Sequence, residues 1–454
     1  MPNHSLSSKI LLLSLALGAA GCVPGPSSAG KKAVRDMIAQ QHYAEAQAYL
    51  DAAKESEYGQ KNQVLFYLDR AAVLHHAGKF KESDENLDRA EKRMDELYTK
   101  SITQAGGMLL LNDTTMEYAG EPFERALAHV LRALNYVFLG QPDEALVESR
   151  KVELFLDGLQ RKVGGKGVYS DDAFARYLDA MLYADEGKLD DARISLEASR
   201  GAYADYTAQY GMPAPRFDFP KADKKEKRGE LVFIHYNGLA PHKVTKTFQV
   251  AWNAAAPLIQ QSNDAEASDQ RVKNALAAGF MGHAVTVAFP DFVNDPYSIV
   301  SSEVWVDSRP VAQTVLMEDV AAIASKSLQD RMGLIKTRAI ARAAVKYVLA
   351  EAVSKALVKG CDQMPGGWIV VQTCKASARV GTQAAAAASE VADTRSWSTV
   401  PAQIRMARAK LAPGAHQVQI RFKDAAGAVV ATQEFASVQI DPKKRTYLSF
   451  RTAK

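Results

Sequence analysis

Three segments of this chain repeat one pattern, in which two amphipathic helices meet at a glycine. In the middle copy, apolar residues recur every three or four positions before Gly140, as on one face of a helix: Phe123, Leu127, Val130, Leu134 and Val137. Pro142 suits the first turn of the next helix, because the N–H that proline lacks would be unpaired there anyway. The other two copies centre on Gly78 and Gly187. Such hairpins cannot bury their apolar faces alone, so the repeat predicts that the copies stack.

Small residues recur at fixed distances from these glycines. Alignment of the glycines superposes small residues at two positions: Ala71, Ala133 and Ala180 before the turn, and Ser83, Ala145 and Ala192 after it. This pattern resembles the tetratricopeptide repeat (TPR), which implies an α-solenoid with a concave groove. The glycines are 62 (140 − 78) and 47 (187 − 140) residues apart, whereas the family period is about 34 residues. The repeats are therefore irregular, and segment 41–53 resembles a further half repeat.

Residues 1–21 have the features of an export signal: one charged residue, Lys9, then an apolar run at 10–17 and small residues before Cys22. Ala-Ala-Gly-Cys at 19–22 resembles the bacterial lipobox, and the resemblance implies that Cys22 is acylated. The alternative is ordinary cleavage after Ala20, which would leave a soluble secreted protein with a stray thiol. Val23 resembles a signal for the outer membrane, so the expected location is the outer membrane, facing the periplasm.

The pattern of apolar and polar residues predicts that the mature chain is an α+β multidomain protein. The predicted parts are a flexible tether at 22–30, a TPR-like helical repeat domain at 31–215, a charged linker at 216–228 and an α+β domain at 229–454. Alternating apolar residues predict strands in 231–316 and 400–451, which we expect to form one β-sandwich-like domain ending in a short β-meander. In 317–392 the period becomes helical, which predicts a helical insertion of two helices before residue 360.

Composition excludes two classes of protein. The formal net charge is only +4 over 454 residues, and a nucleic-acid-binding protein would carry a strong basic excess. After the export signal, no run of 18 uncharged apolar residues occurs, so no further membrane span is expected.

Two further patterns carry candidate site residues. Cys361 and Cys374 flank a Pro-Gly-Gly turn, and in an oxidising compartment they are expected to form a disulfide; two unpaired buried thiols are the alternative. Arg338, Arg342 and Lys346 recur at i, i+4 and i+8 of a predicted helix. This candidate anion-contact stripe could meet anionic lipid or cell-wall glycan, and a merely solvated face is the alternative.

Catalytic motifs are absent from the sequence. It contains no G-x-S-x-G, H-E-x-x-H or C-x-x-C motif. The glycine-rich segment 164–167 lacks the first glycine and the Ser or Thr of a phosphate-binding loop. We therefore expect no catalytic residue, no metal site and no cofactor, and we do not expect an enzyme.

The TPR-like register places a candidate protein-binding groove at six residues: His75, His76, Leu134, Val137, Phe138 and Asp185. An apolar centre with polar ends suits a peptide or a helix better than a small substrate. The alternative is that the C-terminal domain or the inserted helices cover these residues, which would make them part of the core.

The repeats at 117–153 and 169–203 are also similar to a family of TPR-like bacterial lipoproteins. That resemblance implies an architecture and a cellular location but no mechanism. The leading hypothesis is an outer-membrane-anchored scaffold that binds envelope proteins during envelope assembly or maintenance. The alternatives are a structural accessory whose C-terminal β-domain binds peptidoglycan or a membrane machine, and a hydrolase with an unrecognised site. Partner identity and oligomeric state do not follow from the sequence.

Overall fold

A computed structural model describes residues 25–103, 116–163, 169, 171–215, 227–251, 257, 284–365, 367–388 and 390–453. These ranges contain ten α-helices and ten β-strands, in agreement with the predicted mixture of helix and sheet. The predicted export signal, Cys22, most of the predicted charged linker and the glycine-rich segment 164–167 lie outside the described residues.

Eight helices form the N-terminal half: α1 Ser28–Ala39, α2 Tyr43–Ala53, α3 Gln63–His76, α4 Phe80–Thr103, α5 Pro122–Phe138, α6 Pro142–Val163, α7 Ala173–Asp185 and α8 Leu189–Tyr210. Short π- and 3₁₀-helical turns, Lys54–Tyr58 and Gln60–Asn62, connect α2 to α3. The helices pack in consecutive pairs, and α4 also packs on α5 as α6 does on α7. We call these eight helices the helical array.

The three glycines form the turns of the last three hairpins, as the sequence predicts. Gly78, Gly140 and Gly187 have φ values of 74°, 72° and 75°, a left-handed conformation that glycine adopts without steric cost. The six aligned small residues are all buried. In the first of these hairpins, Ser83 Oγ lies 2.9 Å from the carbonyl oxygen of Ala71, to which it donates a hydrogen bond. The small residues therefore mark where the two helices of each hairpin approach most closely.

The C-terminal half contains ten strands: β1 Gly229–Asn237, β2 His242–Ala251, β3 Ala284–Val293, β4 Ser301–Val306, β5 Arg309–Gln313, β6 Val315–Asp319, β7 Gln403–Leu411, β8 Gly414–Lys423, β9 Val429–Ile440 and β10 Arg445–Thr452. They form a first sheet in the order β10-β1-β7-β6, a second in the order β5-β4-β8-β9, and the ribbon β2-β3. Apolar residues of both four-stranded sheets, among them Phe233, Val304 and Phe422, form one core. The two sheets thus pack their apolar residues together.

The predicted terminal β-meander stops at β9. Strand β10 leaves β9 and pairs in parallel with β1 in the other sheet, in a register that runs from Glu230 opposite Arg445 to Asn237 opposite Thr452. Sequence patterning identified the strand but not its partner, because alternation reports which faces are buried and not which neighbour supplies the hydrogen bonds.

Two helices separate β6 from β7: α9 Val320–Cys361 and α10 Trp368–Ala388. The sequence predicted a break near Gly333 and a helix start at Met317, and both expectations are wrong. Met317 belongs to β6, and Asp319 caps α9 by accepting a hydrogen bond from Ala322 N at 2.9 Å. Glycine inside a helix costs only about 1 kcal/mol, which the packing of α9 on β3 and α8 can offset.

One hydrophobic core joins the helical array to the first sheet. It includes Leu68, Leu131 and Phe174 from the helices together with Ile234 of β1 and Trp397 before β7. The parts predicted as separate helical and α+β domains therefore bury their apolar faces against each other.

Trp397 tests the importance of this shared core. It is only 1% exposed, so Trp397→Ala should lower the free energy of unfolding by about 3–5 kcal/mol, measured by urea denaturation. Trp368→Ala is the matched control: Trp368 is 75% exposed, and its loss should change stability by no more than about 0.5 kcal/mol. Equal effects of the two substitutions would contradict the shared core.

Candidate functional site

The face of the helical array on which the sequence placed a binding groove is covered by the C-terminal half of the same chain. On α3, the Nε2 atom of His75 lies 2.8 Å from the hydroxyl oxygen of Tyr236 in β1. At the end of α7, Asp185 forms an ion pair with Arg445 of β10. Helices α3 and α7 of the array thus both contact the first sheet. The candidate groove is therefore not an open surface.

His75 is a buried core residue. Its Nδ1 lies 2.7 Å from Asn135 Oδ1 and its Nε2 lies 2.8 Å from the Tyr236 hydroxyl. Burial lowers the pKa of His75 to about 4, so the ring is neutral at pH 7. Because an amide oxygen can only accept, Nδ1 carries the proton and Nε2 accepts from the tyrosine. Both ring nitrogens are therefore already satisfied by the chain itself.

His76 lies beside a buried arginine. Its Nε2 accepts a hydrogen bond from Arg451 Nη1, and Arg451 Nη2 donates to the carbonyl oxygen of Gly238 at 3.2 Å. Burial lowers the pKa of Arg451 to about 10. The guanidinium is thus held by neutral acceptors, and His76 is a structural partner of β10 rather than a free groove residue.

The apolar groove candidates are also packed. Leu134 is fully buried in the shared core, and Val137 and Phe138 are half-buried against it. The Phe138 ring stacks on Phe80 with a centroid distance of 4.6 Å. Five of the six candidate groove residues are thus buried or half-buried, and the sixth, Asp185, is exposed but ion-paired with Arg445, so the structure corrects the interpretation of this face as an open groove. The correction has a simple physical cause, because an apolar helix face is most easily buried by the nearest apolar sheet.

An irregular segment at 393–400 fills the middle of the covered face. The backbone N–H of Trp397 donates to Glu124 Oε1 on α5 at 2.7 Å, and Thr399 Oγ1 donates to Asp69 Oδ1 on α3 at 2.8 Å. The Trp397 ring is buried among the residues of the shared core. The array thus holds this segment much as a groove would hold a peptide ligand.

Three basic side chains fix the ends of the segment. Arg395 Nη1 donates to Asn62 Oδ1 at 3.1 Å, and Lys31 Nζ donates to the carbonyl oxygen of Thr394 at 2.8 Å. Arg35 donates to the carbonyl oxygen of Ser398. Two backbone carbonyls outside regular secondary structure are in this way satisfied by side chains of α1, and the turn before α3 accepts a hydrogen bond from the Arg395 side chain.

A buried pair of glutamates lies beside the segment. Burial alone would raise the pKa of Glu121, but ion pairs with Lys243 and Arg331 lower it to about 2. Burial, together with the charge of Glu121, raises the pKa of Glu124 to about 7. Perturbed carboxyl groups often mark active sites, but here Glu124 accepts the Trp397 N–H, and Glu121 links α5 to β2 and α9. The pair has a structural role.

The candidate anion-contact stripe is not a free surface either. Residues 339–345 of α9 are all buried, and Arg342 is among them. Lys346 Nζ lies 2.6 Å from Glu390 Oε1. Arg338 is half-buried and already engaged in a polar or electrostatic contact. The three residues do recur along one helix, as the sequence predicted. Their side chains are buried or already engaged in contacts within the chain, so they do not form an exposed stripe.

One cluster that the sequence did not reveal has the composition of a metal site. Potential ligand atoms of Glu91, His129 and Glu148 lie within 4.8 Å of one another. Lys151 Nζ, however, lies 2.9 Å from Glu148 Oε1 and 3.3 Å from Glu91 Oε1, and Arg132 also bonds Glu91. Two cations already neutralise the two carboxylates, so this arrangement is an ion-pair network that joins α4, α5 and α6.

A buried serine–histidine pair bears on the hydrolase alternative. Ser302 Oγ lies 3.2 Å from His235 Nδ1, and His235 Nε2 lies 2.7 Å from Thr452 Oγ1. Both residues are fully buried where the two sheets meet. A nucleophile must be reached by its substrate, and the second ring nitrogen here faces a hydroxyl instead of the orienting carboxylate of a triad. The pair cross-links the sheets.

A large group of exposed apolar side chains lies elsewhere, on a helical hairpin. We define the arm as residues 347–388, which comprise the last part of α9, the turn and α10. Cys361 and Cys374 form a disulfide across it, with their Cα atoms 5.8 Å apart. Eight large apolar side chains of the arm are exposed: Leu349, Val353, Leu357, Met364, Trp368, Ile369, Val370 and Val380. Helical spacing could not predict this exposure, because spacing alone does not show whether another element covers a helix face.

No protein-family model, curated protein or solved structure matches this chain. Within the described ranges, no helix has both the length and the apolar character needed to cross a membrane.

Asp69 gives a pH-dependent test of the segment's attachment. Burial raises its pKa to about 6, against the hydrogen bonds from Thr399 and Tyr58. The folded state therefore holds the Asp69 proton more tightly than the unfolded state, and the contribution of Asp69 to stability should fall as pH rises from about 4 to 6 and then level off. Asp69→Asn should remove this contribution, so the stability of the variant relative to wild type should rise by roughly 3 kcal/mol between pH 4 and pH 8.

Urea denaturation between pH 4 and 8 measures this effect. Asp36→Asn is the control, because its side chain is 52% exposed and the change should be within about 0.5 kcal/mol at every pH. A constant difference between wild type and Asp69→Asn across the range would contradict the assignment.

Proposed function

We propose that this protein is an exported, lipid-anchored structural component of the bacterial cell envelope. In this proposal an irregular TPR-like array braces the sheets, and the arm is the surface presented to other envelope components. The proposal rests on one observation. The candidate binding face of the array is filled by the protein's own chain, whereas the arm leaves apolar side chains exposed. This favours the structural accessory over the groove-type scaffold.

Occupation of the groove by a partner would require a large rearrangement. A peptide at this position would have to displace segment 393–400, including the buried Trp397 ring and the bonds from Trp397 N and Thr399 Oγ1. Each buried polar group left unpaired would cost about 1–3 kcal/mol. The arm needs no such rearrangement to make a contact.

The chemistry of the cysteines supports the proposed location. Disulfides persist in oxidising compartments such as the periplasm and are rare in the cytosol, and Cys361 and Cys374 form one. The lipobox-like sequence ending at Cys22 adds an anchor to the export signal. Together they support a protein that folds after export and stays at the membrane.

Cys22→Ser tests the anchor. The substitution should abolish acyl labelling and move the protein from the membrane fraction to the soluble periplasmic fraction. Cys361→Ser is the matched control, because it changes the same type of residue but should leave acyl labelling intact. Unchanged membrane fractionation of Cys22→Ser would reject the lipid anchor.

Photo-crosslinking tests the role of the arm. A photoreactive phenylalanine analogue at Val353 or Val380 should give adducts with envelope components in intact cells. The same analogue at Leu154 or Ile194, equally exposed on the helical array, should give few. Adducts of equal yield from both sets of positions would show that the arm is not the preferred contact surface.

A further inference from the structure

The apex of the arm concentrates large apolar side chains at one exposed position. Trp368 and Ile369, at the start of α10, are 75% and 71% exposed, and Met364 and Val370 beside them are about half exposed. We call these four residues the arm apex. Soluble proteins seldom leave neighbouring large apolar residues so open unless a partner covers them.

The disulfide gives the apex a defined shape. The bond joins the last residue of α9, Cys361, to Cys374 in the second turn of α10. It closes the 364–370 region into a loop whose two helical stems cannot separate. The apex is therefore presented on a cross-linked end of the molecule. Rigid presentation lowers the ordering cost of binding.

Basic residues outnumber acidic ones along the arm. The arm contains four basic residues, Lys355, Lys359, Lys375 and Arg379, and two acidic ones, Glu351 and Asp362. Asp362 pairs with Lys375 at 2.5 Å, and Glu351 lies 3.8 Å from Lys355. Within the described ranges, no ion pair engages Lys359 or Arg379. The arm thus combines exposed apolar groups with an uncompensated positive charge.

We propose that the arm apex docks onto an anionic lipid bilayer, with Trp368, Ile369 and Met364 entering the interface. Lys359, near the end of α9, faces the lipid head groups, and Arg379, further along α10, adds to the positive charge of the arm. Tryptophan is favoured at the boundary between head groups and acyl chains. Basic side chains near an apolar anchor add attraction to anionic lipids. This proposal rests on the proposed function and adds the chemical class of the arm's partner, an anionic lipid surface.

Charge complementarity selects the bilayer over a second copy of this chain. Symmetric contact between two arms would bring two positively charged surfaces together, which is unfavourable at close range. An anionic surface attracts the same charges. The tip is also narrow, a single turn between two helices, so its side chains can enter an interface without a matching concave surface.

Vesicle flotation tests the proposal with the full mature chain carrying Cys22→Ser, so that no acyl group contributes. The protein should float with vesicles made of equal parts phosphatidylglycerol and phosphatidylcholine, and much less with phosphatidylcholine alone. Trp368→Ser with Ile369→Ser should weaken binding at least about tenfold. Lys359→Gln with Arg379→Gln should weaken it and reduce its salt dependence.

Matched variants control for surface changes in general. Leu154→Ser with Ile194→Ser removes two exposed apolar side chains from the helical array, and Lys92→Gln with Arg200→Gln removes two exposed charges. Both should bind as the parent does. Circular dichroism and thermal melting must show that every variant is folded.

Three results would overturn the proposal. These are no flotation of the parent protein, equal flotation of the apex variant, and a concentration-dependent dimer that the apex variant abolishes while neither protein floats. The last result would assign the apex to contact between copies. These failures are distinguishable from failure of the proposed function, because acyl labelling at Cys22 is measured separately and the flotation assay contains no acyl group.

Discussion

Strand β1 is the element on which both cores depend. Its successive side chains point to opposite faces, as in any strand. Val232, Ile234 and Tyr236 enter the core shared with the helical array, while Leu231 and Phe233 enter the core between the two sheets. The strand lies between β10 and β7, so its backbone is paired on both edges as well. The helical array therefore packs on one face of β1 and the second sheet packs on the other.

Polar contacts fix the position of the helical array relative to the strands of the first sheet. Glu230 at the start of β1 pairs with Arg408 of β7 and Arg445 of β10, and Arg445 also pairs with Asp185 of α7. Ion pairs removed from water contribute little net stability, because desolvation opposes their attraction. Leaving one partner buried and unpaired is costly, however, so such a network penalises any arrangement in which α7 and the strands are shifted.

Local features of this fold could be predicted from the sequence, whereas long-range partners could not. Gly78, Gly140 and Gly187 identified the helical hairpins, because a left-handed turn residue and flanking small residues leave local signatures. Alternating apolar residues likewise identified strands in 231–316 and 400–451. Nothing local indicated that segment 393–400 would fill the array or that β10 would pair with β1. His75 and Phe138 lie on a covered face of the helical array, and part of what covers that face, such as Tyr236 against His75, lies far away in the sequence.

The parallel pairing of β1 with β10 also constrains how the chain can reach its native state. Glu230 and Arg445, which bond across this pair, are 215 residues apart. Contacts of such large sequence separation slow folding, because the intervening chain must be ordered before they form. Until segment 393–400 and β10 arrive, the helical array has its apolar face uncovered, a situation that favours aggregation. The completed protein therefore depends on its last strand, and a chain arrested before residue 445 would be a natural substrate for holding chaperones and quality-control proteases.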